Sequence, residues 1–125
     1  MRHFIAVIVS IAAMVCAGAS YGQSQMELNQ QVSDEFQKAD RQLNAVYSRL
    51  VARLSPATKA ALQAEQVTWL HFRDQECEFE SMGTVGVSIH GMMVVVCRTR
   101  LTEHRTRELE RLLNCKEGDM SCVLQ

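Results

Sequence analysis

The chain has one proline and six glycines in 125 residues. So few helix breakers favour long, uninterrupted helices. It also lacks an excess of either charge: 13 basic residues stand against 14 acidic ones, a formal net charge of −1. A nucleic-acid-binding domain needs a basic face, which this balance does not supply. Beyond the N-terminal two dozen residues, no apolar stretch approaches the roughly 20 residues of a membrane span. The motifs G-x-S-x-G, H-E-x-x-H and C-x-x-C and a phosphate-cradling glycine loop are missing as well. Catalysis therefore has little to rest on, and no cofactor or metal is expected. Glu76, Glu78 and Glu80 could imitate a two-carboxylate site, but alternate positions on a helix diverge.

What the chain does have begins at its N-terminus. Arg2 and His3 precede an apolar run, Phe4–Val15, of about 12 residues. Ala17-Gly18-Ala19 and Ser20-Tyr21-Gly22 then offer the small residues that a signal peptidase reads. Residues 1–22 are expected to be a cleaved signal peptide, with the mature chain starting near Gln23. Cys16 is a poor lipidation site, because Val15 before it is bulky. The mature chain carries 12 basic and 14 acidic residues, enough acid to draw it towards a cationic partner.

Without Cys16, four cysteines remain: Cys77, Cys97, Cys115 and Cys122. An even number in an exported chain favours disulfides. Three connectivities are open, and Cys77–Cys97 with Cys115–Cys122 is preferred because each closes a local loop. Zinc is the rival, but gaps of 20, 18 and 7 residues suit no common zinc motif.

Leu28, Val32, Phe36, Ala39, Leu43, Tyr47, Leu50 and Leu54 recur at spacings of three and four, predicting a first helix over residues 26–54. Ser55-Pro56 suits an N-cap and first helical position. The second helix is expected to reach residue 81, with Ala61, Leu62, Trp69, Phe72 and Cys77 inward. Residues 82–91 hold three glycines and read as a loop. The third helix is predicted over residues 92–113, burying Val94, Cys97, Leu101, Arg105, Leu109 and Leu112. Residues 116–125 form a short tail with a disulfide turn.

Charge supports an antiparallel hairpin. The second helix ends in acid and the third carries Arg98, Arg100, Arg105 and Arg107, some of them early, each the wrong sign for its own helix dipole. Antiparallel packing about Cys77–Cys97 cancels both faults, bringing Glu76 near Arg98, Asp74 near Arg100 and Trp69 near Arg105. The expected fold is all-α: a small antiparallel three-helix domain with a disulfide-linked hairpin between its second and third helices.

Three segments carry a family likeness. Asp40, Leu43-Asn44 and Tyr47 fit A-D-x-x-L-N-x-x-Y, and Leu54-Ser55-Pro56 follows as its turn. Gln66, Trp69, Phe72-Arg73-Asp74 and Cys77 fit Q-x-x-W-x-x-F-R-D-x-x-C. Cys97, Leu101-Thr102, Arg105 and Leu109 fit C-x-x-x-L-T-x-x-R-x-x-x-L. In this order they resemble the lysozyme inhibitor LprI-like N-terminal domain family over residues 26–115, within an expected domain of residues 23–115. The loop differs in having Gly83-Thr84-Val85-Gly86, and Cys122 lies outside the shared region. The resemblance implies a periplasmic or secreted helical domain that binds lysozyme or another peptidoglycan hydrolase.

Most of the motif residues have a structural explanation. Tyr47, Trp69 and Phe72 on helix stripes read as core. Arg73 and Asp74 read as an internal ion pair, and Asn44 as a buried hydrogen bond to a neighbouring helix. Asp40, Thr102 and Arg105 belong to the same structural set. His71, His90 and His104 are isolated and match no metal spacing. The candidate partner-binding element is the loop, with Gly86, Ser88 and His90, its ends held by Cys77–Cys97 and the acidic helix end facing a basic enzyme. An immunity or adaptor protein, or a structural envelope protein without inhibitory activity, is the alternative.

Overall fold

The computed structural model describes the backbone of residues 2–116 and 118–124, and side chains from residue 24 onward within those limits. The side chains of the expected signal peptide, including Cys16, lie outside the described residues. Three α-helices, α1 (Arg2–Val51), α2 (Pro56–Glu80) and α3 (His90–Leu113), are joined by short connections, with no strand among the described residues. No helix among the described residues is long and apolar enough to cross a membrane.

Residues 1–32 and 33–125 form two compact units. In the first, Gln25 donates from Nε2 to Asn29 Oδ1 (3.0 Å), one helical turn away. Leu28, an expected stripe position, is exposed there. The second unit holds the rest of α1 with α2 and α3.

Helix α1 stops three residues before the predicted Leu54. Arg53 N–H donates to Leu50 O (2.9 Å) and Leu54 N–H to Val51 O (3.4 Å), so the last turn tightens to three-residue spacing. Ser55 then caps α2 in extended conformation, its hydroxyl accepting from Thr58 N–H (3.3 Å), and Pro56 occupies the first turn. At the far end α2 hands over to a 3-10 turn, Met82–Thr84, and α3 begins two residues earlier than the predicted Met92.

Within this unit α2 runs antiparallel to α3, and the 33–51 stretch of α1 runs in the same direction as α3, with Leu43, Val46 and Leu50 against Leu109 and Leu113. Two apolar clusters hold the unit. Leu43, Val46, Leu50, Leu109 and Leu113 form one, flanked by Tyr47, Leu54, Leu62, Trp69 and the tail residues Val123 and Leu124. Cys77, Val94 and Cys97, with Leu101 against them, form the other beneath the α2–α3 connection. The disulfide Cys77–Cys97 joins the helices there, with Cα atoms 5.5 Å apart. The second disulfide, Cys115–Cys122, closes the tail. Arg53 Nη1 donates to Leu113 O (2.9 Å), satisfying a carbonyl at the C-terminus of α3.

The buried line of α2 differs from the expected one. Ala61 and Phe72 are exposed, while Arg73 is buried. At 100° per residue, Leu62, Gln66, Trp69 and Arg73 lie close to the Cys77 direction, whereas Phe72 and Ala61 lie roughly 140–160° from it. The side of α2 facing α3 is therefore partly polar and aromatic rather than wholly apolar.

Candidate partner-binding site

The motif residues gather around that polar side. The Arg73 guanidinium lies 5.5 Å from the ring centroids of both Phe36 and Trp69. Its Nη1 donates to Thr102 Oγ1 (3.3 Å) and its Nε to Asp74 Oδ1 (3.0 Å). Arg105 approaches the other side of the hairpin register, 5.7 Å from the Trp69 centroid. It donates from Nε to Gln66 Oε1 (3.0 Å), pairs through Nη2 with Glu65, and meets Glu108 Oε2 at 3.3 Å. Thr102 is fully buried, and its carbonyl accepts from Thr106 Oγ1 (2.9 Å). Buried cations require this degree of partnering. With every one of these groups engaged, the cluster fixes the helix register and offers no free chemistry.

Asn44 departs from its expected role. It is exposed and donates to Asp40 Oδ2 (3.0 Å) on α1 itself, one turn earlier, so no neighbouring helix is involved. The predicted charge pairs also shift. Arg98 bridges Asp74 Oδ1 (3.2 Å) and Glu78 Oε1 (3.6 Å), and Arg100 meets Glu80 Oε2 at 2.6 Å. Asp74 and Glu78 share one side of α2 at a four-residue spacing, and Glu76 between them is turned away. Glu76 takes no part in these pairs. The predicted approach of Trp69 to Arg105 is present.

The hairpin end is the exposed element. From Ser81 the chain winds through consecutive turns: Thr84 N–H to Ser81 O (2.9 Å), Val85 N–H to Met82 O (3.3 Å), Val87 N–H to Thr84 O (3.1 Å) and His90 N–H to Val87 O (3.1 Å). Gly86 holds the left-handed φ of +83° that one of these turns needs. Thr84 Oγ1 donates its single proton to Ser81 O (2.8 Å), so His90 Nδ1–H is the donor in its 2.9 Å contact with Thr84 Oγ1. His90 Nε2 lies 3.8 Å from Glu78 Oε2. His90 is thus half-buried and turned back onto the hairpin, whereas Gly86 and Ser88 are exposed.

Sequence reasoning missed the apolar residues that precede Ser88. Phe79, Met82, Val85 and Val87 are 75, 63, 61 and 56% exposed. The signal was present as four large apolar residues in nine, but glycine spacing directed attention to the polar ones. Among the described residues, no three histidines, cysteines or carboxylates are grouped to hold a metal. A separate groove between α1 and α3, about 520 Å³, carries both signs of charge through Arg49, Arg107, Glu103 and Glu110.

Comparison with known proteins decides the family. The family model described as "Lysozyme inhibitor LprI" matches residues 16–109. The chain belongs to the LprI lysozyme inhibitor family. An uncharacterized protein of Rhizobium meliloti (strain 1021) is 32% identical over 108 residues, covering 76% of this chain and 78% of that protein. No solved structure matches. Membership of the LprI family suggests a lysozyme-inhibitor-like role exercised on a protein partner outside the cytoplasm, and two disulfides fit that setting. The family's named activity is inhibition, a matter of binding rather than of catalysis.

Proposed function

We propose that this LprI-family protein is exported by its N-terminal 22 residues and, in the periplasm or medium, inhibits a peptidoglycan-degrading hydrolase by placing the α2–α3 connection in the enzyme's cleft. The observation that carries this reading is the cross-linked base of an exposed connection. Cys77 and Cys97, both buried, join the helices directly beneath Met82–His90. A segment already held in its bound shape loses less entropy on binding. Below it, the partnered arginines around Trp69 keep the two helices in one register. Gly86 and Ser88 stand exposed at the tip, and His90 supports it through Thr84.

The test is a cell-wall lysis assay with the exported, oxidised protein titrated into lysozymes of the c, g and i types. Inhibition of at least one type that saturates near one inhibitor per enzyme is expected. No inhibition of any type by a helical, disulfide-bonded protein would transfer the reading to a different extracytoplasmic partner.

A further inference from the structure

The geometry points to an apolar wedge, Phe79, Met82, Val85 and Val87, as the part of the tip that binds the partner, and to the apolar and aromatic walls of a basic hydrolase's cleft as its seat. This deepens the inhibitor reading and rests on it. Soluble chains seldom leave several large apolar side chains exposed close together without a partner for them. Here four of them stand out within nine residues, each more than half exposed, while Cys77 just inside is fully buried. Phe79 also continues a line along α2, since Phe72 lies two turns earlier on nearly the same side and is likewise exposed.

Hydrogen bonding separates this wedge from the polar residues of the connection. Thr84 spends its hydroxyl on Ser81 O and His90, and His90 turns its other nitrogen towards Glu78, leaving Ser88 as the exposed hydroxyl. Apolar and aromatic anchors, rather than peripheral polar contacts, carry most of the binding free energy in protein interfaces. Clefts that bind small molecules are themselves lined mainly by apolar and aromatic side chains.

Charge selects the occupant. Between residues 73 and 100 there are four carboxylates and three arginines. Arg73, Arg98 and Arg100 are held by Asp74, Glu78 and Glu80, and Glu76 stays outside these pairs. The net acid around the wedge repels both a second copy of the same end and an anionic membrane surface. It attracts a basic enzyme and steers the encounter.

The experiment compares wild type, Phe79→Ser/Val85→Ser and, as a control elsewhere on α2, Val67→Ser, which removes another exposed apolar side chain. Each is assayed for inhibition of the c-, g- and i-type lysozymes, for thermal midpoint, for sedimentation and for binding to phosphatidylglycerol vesicles. The expected result is a loss of inhibition of about tenfold or more in the double variant, with an unchanged midpoint, and no loss for Val67→Ser. Equal inhibition by wild type and the folded double variant overturns the wedge and leaves the inhibitor reading standing. A wild type that inhibits no lysozyme overturns both. Self-association, or vesicle binding, that the double variant abolishes overturns the choice of occupant in favour of a second copy or a membrane.

Discussion

Breaking Cys77–Cys97 tests the scaffold and the binding reading together. The bridge spans 20 residues of sequence. On the chain-entropy model a loop of that length restrains the unfolded chain by about 3 kcal/mol. For a domain of this size, with a urea m-value of about 1.5 kcal/mol/M, the unfolding midpoint should fall by about 2 M. The measurement is best made in a Cys115→Ala/Cys122→Ala background, so that reduction affects one bridge alone. Oxidised against reduced protein then isolates the cross-link, because both sulfurs remain in place. Reduced protein against a further Cys77→Ala/Cys97→Ala variant isolates the packing of two buried side chains against Val94 and Leu101. The m-value should rise on reduction, since an unlinked unfolded chain exposes more surface. Inhibition should weaken under conditions where the reduced protein is still folded, because the freed connection must be ordered on binding. A midpoint that moves by less than about 0.5 M on reduction refutes the entropic argument. Unchanged inhibition by the reduced, folded protein refutes the role given to the clamp.

The remaining predictions concern other parts of the unit. Thr102→Val removes the fully buried acceptor of Arg73 Nη1 and should lower stability in urea unfolding by about 1–2 kcal/mol. Trp69→Leu removes ring contacts to two arginines at 5.5 and 5.7 Å and should lose about 1–2 kcal/mol beyond the packing change, measured the same way. Gly86→Ala places a side chain at φ +83° and should cost about 1 kcal/mol, whereas Gly83→Ala meets no atom within 4 Å and needs no such φ, so its thermal midpoint should hold or rise. Asp119 accepts from the Ser121 hydroxyl (2.7 Å) and backbone N–H (2.9 Å), which hold its carboxyl below the ordinary carboxylate range. A depressed folded-state value makes this contribution to the tail turn complete above the ordinary carboxylate range and lost as pH falls through the lowered one. Ser121→Ala should raise the Asp119 titration midpoint, read from its carboxyl carbon by NMR.

Much of this architecture was legible because it rests on periodicity and capping. The Leu43–Leu50 stripe and the Ser55-Pro56 start of α2 point to the helices found, and of three open connectivities the disulfides take the preferred local one. The antiparallel orientation of α2 and α3 was also legible, since helices carrying the wrong charge for their dipoles are best relieved by antiparallel packing, and Cys77–Cys97 sets the register. Individual partners were not. An arginine reaches across several residues, so Arg98 pairs with Asp74 and Glu78 rather than Glu76. The internal pair of Arg73 with Asp74 was legible, but the rest of its setting was not: a charged residue takes a core position only when rings and acceptors from α1 and α3 converge on it. At the tip, Thr84 and His90 bond to each other across six residues, which no local pattern announces. That contact turns one polar candidate inward and leaves the apolar residues outside.

Backbone-amide NMR of the labelled, oxidised protein, titrated with an unlabelled lysozyme that it inhibits, tests the placement of the binding surface most directly. Shifts confined to residues 78–91, saturating near one equivalent, are expected. Shifts centred instead on the α1–α3 groove around Arg49 and Arg107, with the tip unmoved, would contradict it.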